Sequence, residues 1–256
     1  MENRRTKYPI IGTKESLDNL TIDDAIDFFN NYYCANNGTI TIVSNLEYEK
    51  VVDMVEEYFG HWRSEVIPEN KEVLAQPKDG VFIEEKDGLN NAKVQIIFPI
   101  NELSHWEIKA LKVFNQYFGE GVNSVLYDTL RTKNSLVYDV ITKVSNESYI
   151  KVYKINYTTN RENVDKTLTI VNKIITDVDQ FGKFDKEALI KSFRVNRLFD
   201  DEKSVRLAMR IATYDTMFGD GYLYLDEVED LNKMPVDFIM ETAKKVLKNK
   251  SVQIVK

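Results

Sequence analysis

Arg131 and Tyr138 are two side chains whose types could donate hydrogen bonds to a developing oxyanion. Both lie in the stretch Phe118–Tyr138, FGEGVNSVLYDTLRTKNSLVY. A guanidinium fork and a phenol are hydrogen-bond donors, and an oxygen that gains negative charge during attack on an amide needs donors. A plainer reading also fits: Arg131 in a helix-surface ion pair and Tyr138 as a half-buried strand aromatic. Other nucleophile or ligand sets are sparse. The only histidines are His61 and His105. His105-Trp106-Glu107 invites a metal, but no second histidine is near, and Glu107 fits a helix capping box with Ser104. No G-x-S-x-G elbow accompanies either histidine. Gly119-x-Gly121 lacks the third glycine and the strand–helix context of a phosphate loop. The single cysteine, Cys34, excludes an internal disulfide and any CxxC pair, and reads as a small buried hydrophobe.

Composition narrows the class. The 256 residues are 43% hydrophobic, which is enough for a real core. The 34 basic and 41 acidic side chains give a net charge of −7, which argues against a nucleic-acid partner. No apolar run reaches the roughly 18 residues of a membrane span. The start, MENRRTKYP, lacks the apolar core of a signal peptide, which with the single cysteine favours a cytoplasmic location. The acidic run 226–230, DEVED, reads as solvated surface.

The elements that must carry Arg131 and Tyr138 follow from periodicity. Thr21 caps a helix bearing Ala25, Phe28, Phe29 and Tyr32, whose aromatics, with Tyr33, read as core and edge packing. The β-branched run Thr39–Ser44, TITIVS, predicts a strand, and a helix follows from Glu47 to Phe59. Residues 64–80 hold two prolines and mixed charge, the signature of a linker. Strands are expected at 81–85 and 92–99. A helix capped by Ser104 then carries Ile108, Leu111, Phe114 and Phe118, and stops at Gly119. A second helix is expected over 122–133, with strands at 136–144 and 149–158. Thr159-x-x-Glu162 reads as another capping box, opening a long helix closed by Gly182. Further helices are expected at 186–199, 203–218 and from Pro235 to about 247, before a closing strand at 251–256.

The helix–turn–strand pattern of residues 20–44 recurs at 234–256, with Ile42-Val43 matching Ile254-Val255. This suggests two related domains, each ending this way. About 150 residues precede the closing helix of the second and only about 20 that of the first.

Two stretches resemble the pitrilysin or insulinase-like zinc peptidases, the inverzincins, which include the mitochondrial processing peptidases. Pro9, Gly12, Thr13, Glu15 and Ser16, with the helices and hydrophobic strand that follow as far as Trp62, resemble the late part of that family's N-terminal domain. Gly119, Gly121, Ser124, Leu126, Leu130, Arg131, Leu136 and Tyr138 fall in step with its C-terminal-domain signature. Ser135 stands where the family usually has glycine.

The resemblance implies an α+β fold: a pitrilysin-like two-layer domain with a mixed, mainly antiparallel sheet backed by helices, preceded by the tail end of a second similar domain. The expected boundaries are 1–63 for the remnant of the N-terminal domain, 64–80 for the linker and 81–256 for a complete C-terminal domain. Arg131 and Tyr138 are implied to contact substrate near the scissile bond, on a loop supported by Gly119, Gly121 and Ser124. The family's zinc is held by His-x-x-Glu-His with a downstream glutamate, and this chain lacks that motif. No catalytic residue, metal ligand or cofactor is therefore expected here, and zinc belongs to the missing domain or a partner subunit. The chain is expected to bind extended peptide without cleaving it alone. A non-catalytic assembly subunit of the same family and an unrelated small-ligand module are the alternatives. Self-association through the edge of Thr39–Ser44 is expected as well.

Overall fold

The computed structural model describes residues 9–68, 74, 76–181 and 184–256. The expected linker and Gly182 lie partly or wholly outside them. Two compact units emerge: Leu74–Asn196 with Val228–Lys256, and Arg4–Val73 with Arg197–Glu227. The division falls inside the helix Lys186–Asp201. Compactness thus groups 197–227 with the N-terminal segment, whereas the sequence boundaries place them in 81–256. The boundaries at 63 and 80 stand as a proposal about the parent domains.

The larger unit is built on five strands: β1 (Gly80–Glu84), β2 (Asn91–Pro99), β3 (Val137–Asn146), β4 (Lys151–Asn160) and β5 (Ser251–Val255). Their order is β1-β5-β2-β4-β3; β1 runs parallel to β5 and all other pairs are antiparallel. The expected mixed, mainly antiparallel sheet is present. Alternation decides its faces. Val94, Ile96 and Phe98 of β2 and Tyr153, Ile155 and Tyr157 of β4 are buried, while Lys93, Gln95, Asn156 and Thr158 look the other way.

Helices cover the apolar face. Ser104 caps His105–Phe118: its hydroxyl accepts from the Glu107 N–H, and the Glu107 carboxylate accepts from the Ser104 N–H. Ile108, Leu111, Phe114 and Phe118 recur at helical spacing and are all buried. This helix packs on Val236–Val246, whose inner face carries Ile239, Ala243 and Val246. Val164–Thr176 adds Val171 and Ile175 to the same core.

One expected cap is corrected. Thr159 does not open a helix; it lies near the end of β4, and the next α-helix starts at Val164 with Asn163 as its cap. The Thr159 hydroxyl is spent elsewhere, as described below.

The smaller unit has the helices Lys14–Asp18, Ile22–Tyr32, Tyr48–Phe59 and Ser204–Phe218. Thr21 caps the second, in a box with Asp24. Residues 39–44 form no strand; they join no ladder among the described residues. A strand exists only with a neighbour to pair with, so β-branched propensity alone does not make one. The core reading of the aromatics is also corrected. Phe28 and Phe29 are each 57% exposed; Phe28 meets Tyr32 in a tilted ring contact and Phe29 stacks on Tyr33. Among this unit's described hydrophobic residues only Cys34 and Tyr224 are buried. The DEVED run is not wholly solvated either: Glu227 is buried and pairs with Arg197 at 3.5 Å.

Candidate functional site

The site begins at a tight loop between helix and sheet. Gly119 ends the helix His105–Phe118 and lies so close to β3 that a Cβ would sit 2.2 Å from the Thr142 methyl. Gly121 has φ +82°, the left-handed region that glycine enters without penalty. Between them, Glu120 accepts from the side-chain amides of Asn115 (3.1 Å) and Gln116 (2.6 Å). Asn115 in turn accepts from the Tyr153 hydroxyl at 3.0 Å, which ties the loop to β4. Burial pushes the Tyr153 phenol far above its ordinary pKa, so it stays protonated and donating. Ser124 is buried and caps the next turn through the Tyr127 N–H.

The expected helix over 122–133 is replaced by a short α-helical turn, Val125–Tyr127, that widens into a π-helical segment, Asp128–Lys133. Such segments are uncommon and recur at functional sites. Its end is closed by bonds from the Leu136 N–H to the Leu130 carbonyl (2.9 Å) and from the Ser135 N–H to the Arg131 carbonyl (3.0 Å). This is the pattern of a glycine-type helix stop, one residue wider than usual. Ser135 occupies its left-handed position at φ +51°. The departure from glycine therefore leaves the turn intact, and a side chain sits where it is strained.

Strand β3 follows at once, and it carries a bulge. Val137 faces Thr159 and Val140 faces Tyr157, so Tyr138 and Asp139 together oppose Thr158 alone. The extra residue lets both Val137 and Val140 enter the core, while Tyr138 is 77% exposed and Asp139 half-buried. Arg131, from the π-helical segment, donates to the Val137 carbonyl at 2.9 Å and places its guanidinium 4.9 Å from the Tyr138 ring centre. The two residues are thus brought together, with the phenol toward solvent. The ion-pair reading of Arg131 is replaced by a carbonyl bond and a ring contact.

Beside the pair, a groove of about 290 Å³ crosses the uncovered face of the sheet. Strand register puts Phe82, Gln253, Gln95, Asn156 and Ile141 in one row across all five strands. Gln95 donates to the Asn156 side chain at 2.8 Å. Asp139 and Lys93 also line the groove. None of these was singled out in the sequence. The alternating polar positions of β2, β4 and β5 were the available signal, but only the register aligns them.

This helix-backed mixed sheet has clear relatives. Residues 19–192 match the family described as the peptidase M16 inactive domain. The chain belongs to that family. An uncharacterised zinc protease of Rickettsia felis is 24% identical over 252 residues, 93% of this chain and 58% of the relative. A protease from Helicobacter pylori shares the fold at a TM-score of 0.80 and 17% identity, over 96% of this chain and 61% of that one. An M16 inactive domain from Pseudomonas fluorescens does so at 0.81 and 16%, over 95% and 59%. The chain thus spans about three-fifths of the length of these relatives.

The M16 signature His-x-x-Glu-His does not occur in the sequence. Among the described residues, no three His, Cys, Asp or Glu side chains are placed to hold a metal ion. Nor is any described helix long and apolar enough to cross a membrane.

Proposed function

We propose that this M16 chain is the substrate-binding, non-metal-binding portion of a zinc-dependent metallopeptidase. Hydrolysis would need a His-x-x-Glu-His domain, elsewhere in the same protein or on a partner subunit, and the chain alone would bind peptide without cutting it. The observation that carries this reading is the Arg131–Tyr138 pair: two donors stacked together, one of them largely exposed on a strand at the sheet edge. A peptide adding to β3 as a further strand would run past both. The donors would then serve the substrate carbonyl, while the zinc-bearing partner would supply the water-activating metal.

The test is binding of a labelled, unstructured peptide to the purified chain, read by fluorescence anisotropy. Arg131→Ala and Tyr138→Phe should each weaken it, Arg131→Ala by about tenfold, the size of one charge-assisted hydrogen bond. Zinc-dependent hydrolysis by the chain alone, lost on Arg131→Ala, would refute the statement that it needs a partner.

A second reading, a non-catalytic assembly subunit, is favoured by the smaller unit. Its Ile22, Phe28, Phe29 and Tyr58 are each exposed, and exposed apolar side chains in such number are what a partner would cover. Unchanged peptide affinity in both variants would select it.

A further inference from the structure

We infer that Thr159 is the positioning residue of the Arg131–Tyr138 pair. Its importance for peptide binding rests on the function proposed above, but its structural role does not. Thr159 is 3% exposed, under the turn that joins the π-helical segment to β3. Its hydroxyl donates to the Leu136 carbonyl at 2.7 Å. Leu136 precedes the strand and is itself buried, and buried backbone carbonyls are kept paired, here by the Thr159 hydroxyl. The next carbonyl, of Val137, accepts from Arg131. Two successive carbonyls thus take side-chain donors, one from below the turn and one from the site.

Thr159 also faces Val137 in the ladder, immediately before the bulge that puts Tyr138 and Asp139 on the same side. It therefore holds the backbone on the near side of the bulge with both its main chain and its hydroxyl. Without the hydroxyl, the Leu136 carbonyl is buried and unpaired, and the turn must shift to reach water. Val137 shifts with it, taking the acceptor that orients Arg131. A strand-end threonine whose hydroxyl points back under a helix stop is indistinguishable in sequence from a helix cap, which is how Thr159-x-x-Glu162 reads.

The test compares Thr159→Val, which keeps shape and loses the hydroxyl, with Thr159→Ser, which keeps the hydroxyl. The direct readout is the side-chain NMR signal of Arg131, assigned by its loss in Arg131→Ala and shifted upfield by the Tyr138 ring. Thr159→Val should abolish the ring shift, as Tyr138→Leu does, and Thr159→Ser should restore it. In peptide anisotropy, Thr159→Val should weaken binding about tenfold, Thr159→Ser less than twofold, and Thr159→Val should add nothing in an Arg131→Ala background. If Thr159→Val does not fold, Thr159→Cys, with its weak S–H donor, takes its place and should reduce the ring shift. A ring shift unchanged in the hydroxyl-less variant, or lost equally in Thr159→Ser, overturns the inference. A lost ring shift with unchanged peptide affinity upholds the positioning role and instead counts against the proposed function.

Discussion

The Arg131 guanidinium lies 4.9 Å from the centre of the Tyr138 ring, and Tyr138 is 77% exposed. An aromatic so exposed contributes little to the core, so its removal separates binding from stability. Tyr138→Ser should change unfolding free energy by no more than about 0.5 kcal/mol. The same variant should weaken peptide binding about tenfold, because it removes a donor and frees Arg131 from the ring. Urea unfolding beside peptide anisotropy checks both halves.

Ser135 pays a conformational cost that glycine would not. Its φ of +51° is left-handed, and it closes the π-helical segment. Ser135→Gly should raise stability by roughly 1 kcal/mol, the penalty an L-residue meets there. Ser135→Val, β-branched at a left-handed position, should lower it. Denaturant midpoints at constant m-value decide the point.

These two residues show what the sequence could and could not reveal. Arg131, Tyr138 and the glycines could be picked out because their types and spacing are local, whereas the substrate role given to the pair rests on the family resemblance and is a proposal. So were the caps of Ser104 and Thr21 and the buried faces of the main helices, where periodicity and a hydroxyl suffice. The bulge at Tyr138–Asp139 was not legible, since it exists only relative to Thr158 on another strand. The row Gln253, Gln95 and Asn156 likewise depends on the register of three strands. Thr159 was misread because a local cap and a distant carbonyl compete for the same hydroxyl. Residues 39–44 were misread as a strand because propensity does not report whether a neighbour is present.

The Ser104 cap should make stability depend on pH. A hydrogen bond from Lys245 and those from Ser104 hold the Glu107 carboxyl below the usual carboxylate range, against the opposing effect of burial. Because the folded pKa is depressed, the stabilisation is fully present above the unfolded value of about 4.3 and is lost as pH falls through the folded one. Thermal melts from pH 6 to pH 3 should therefore fall more steeply for the wild type than for Glu107→Gln, which keeps a capping side chain and does not titrate.

Arg197 anchors the smaller unit. It donates to Asp201 at 2.8 Å, to the Tyr224 carbonyl at 2.8 Å and to Glu227 at 3.5 Å, and its side chain is 10% exposed. Arg197→Ala leaves Glu227 buried beside a lost cation. The expected cost is about 3 kcal/mol, near the lower end for breaking a buried pair. Arg197→Met, which fills the space but carries no charge, should be no better, since the carboxylates remain. Comparing both variants by urea unfolding separates lost charge from lost packing.

The segment 39–44 offers a last test. Ile40 and Ile42 are 52% and 48% exposed, while Thr41 and Val43 are half-buried, so the segment alternates as an extended strand does. It joins no ladder among the described residues. Extended backbone that joins no ladder among the described residues, flanked by exposed isoleucines, is a template for another strand. Sedimentation velocity should show concentration-dependent association at micromolar chain. Ile40→Lys with Ile42→Lys should return the protein to monomer, because desolvating two lysines opposes strand addition. A strict monomer across the whole concentration range would overturn the expectation that this segment pairs with another copy.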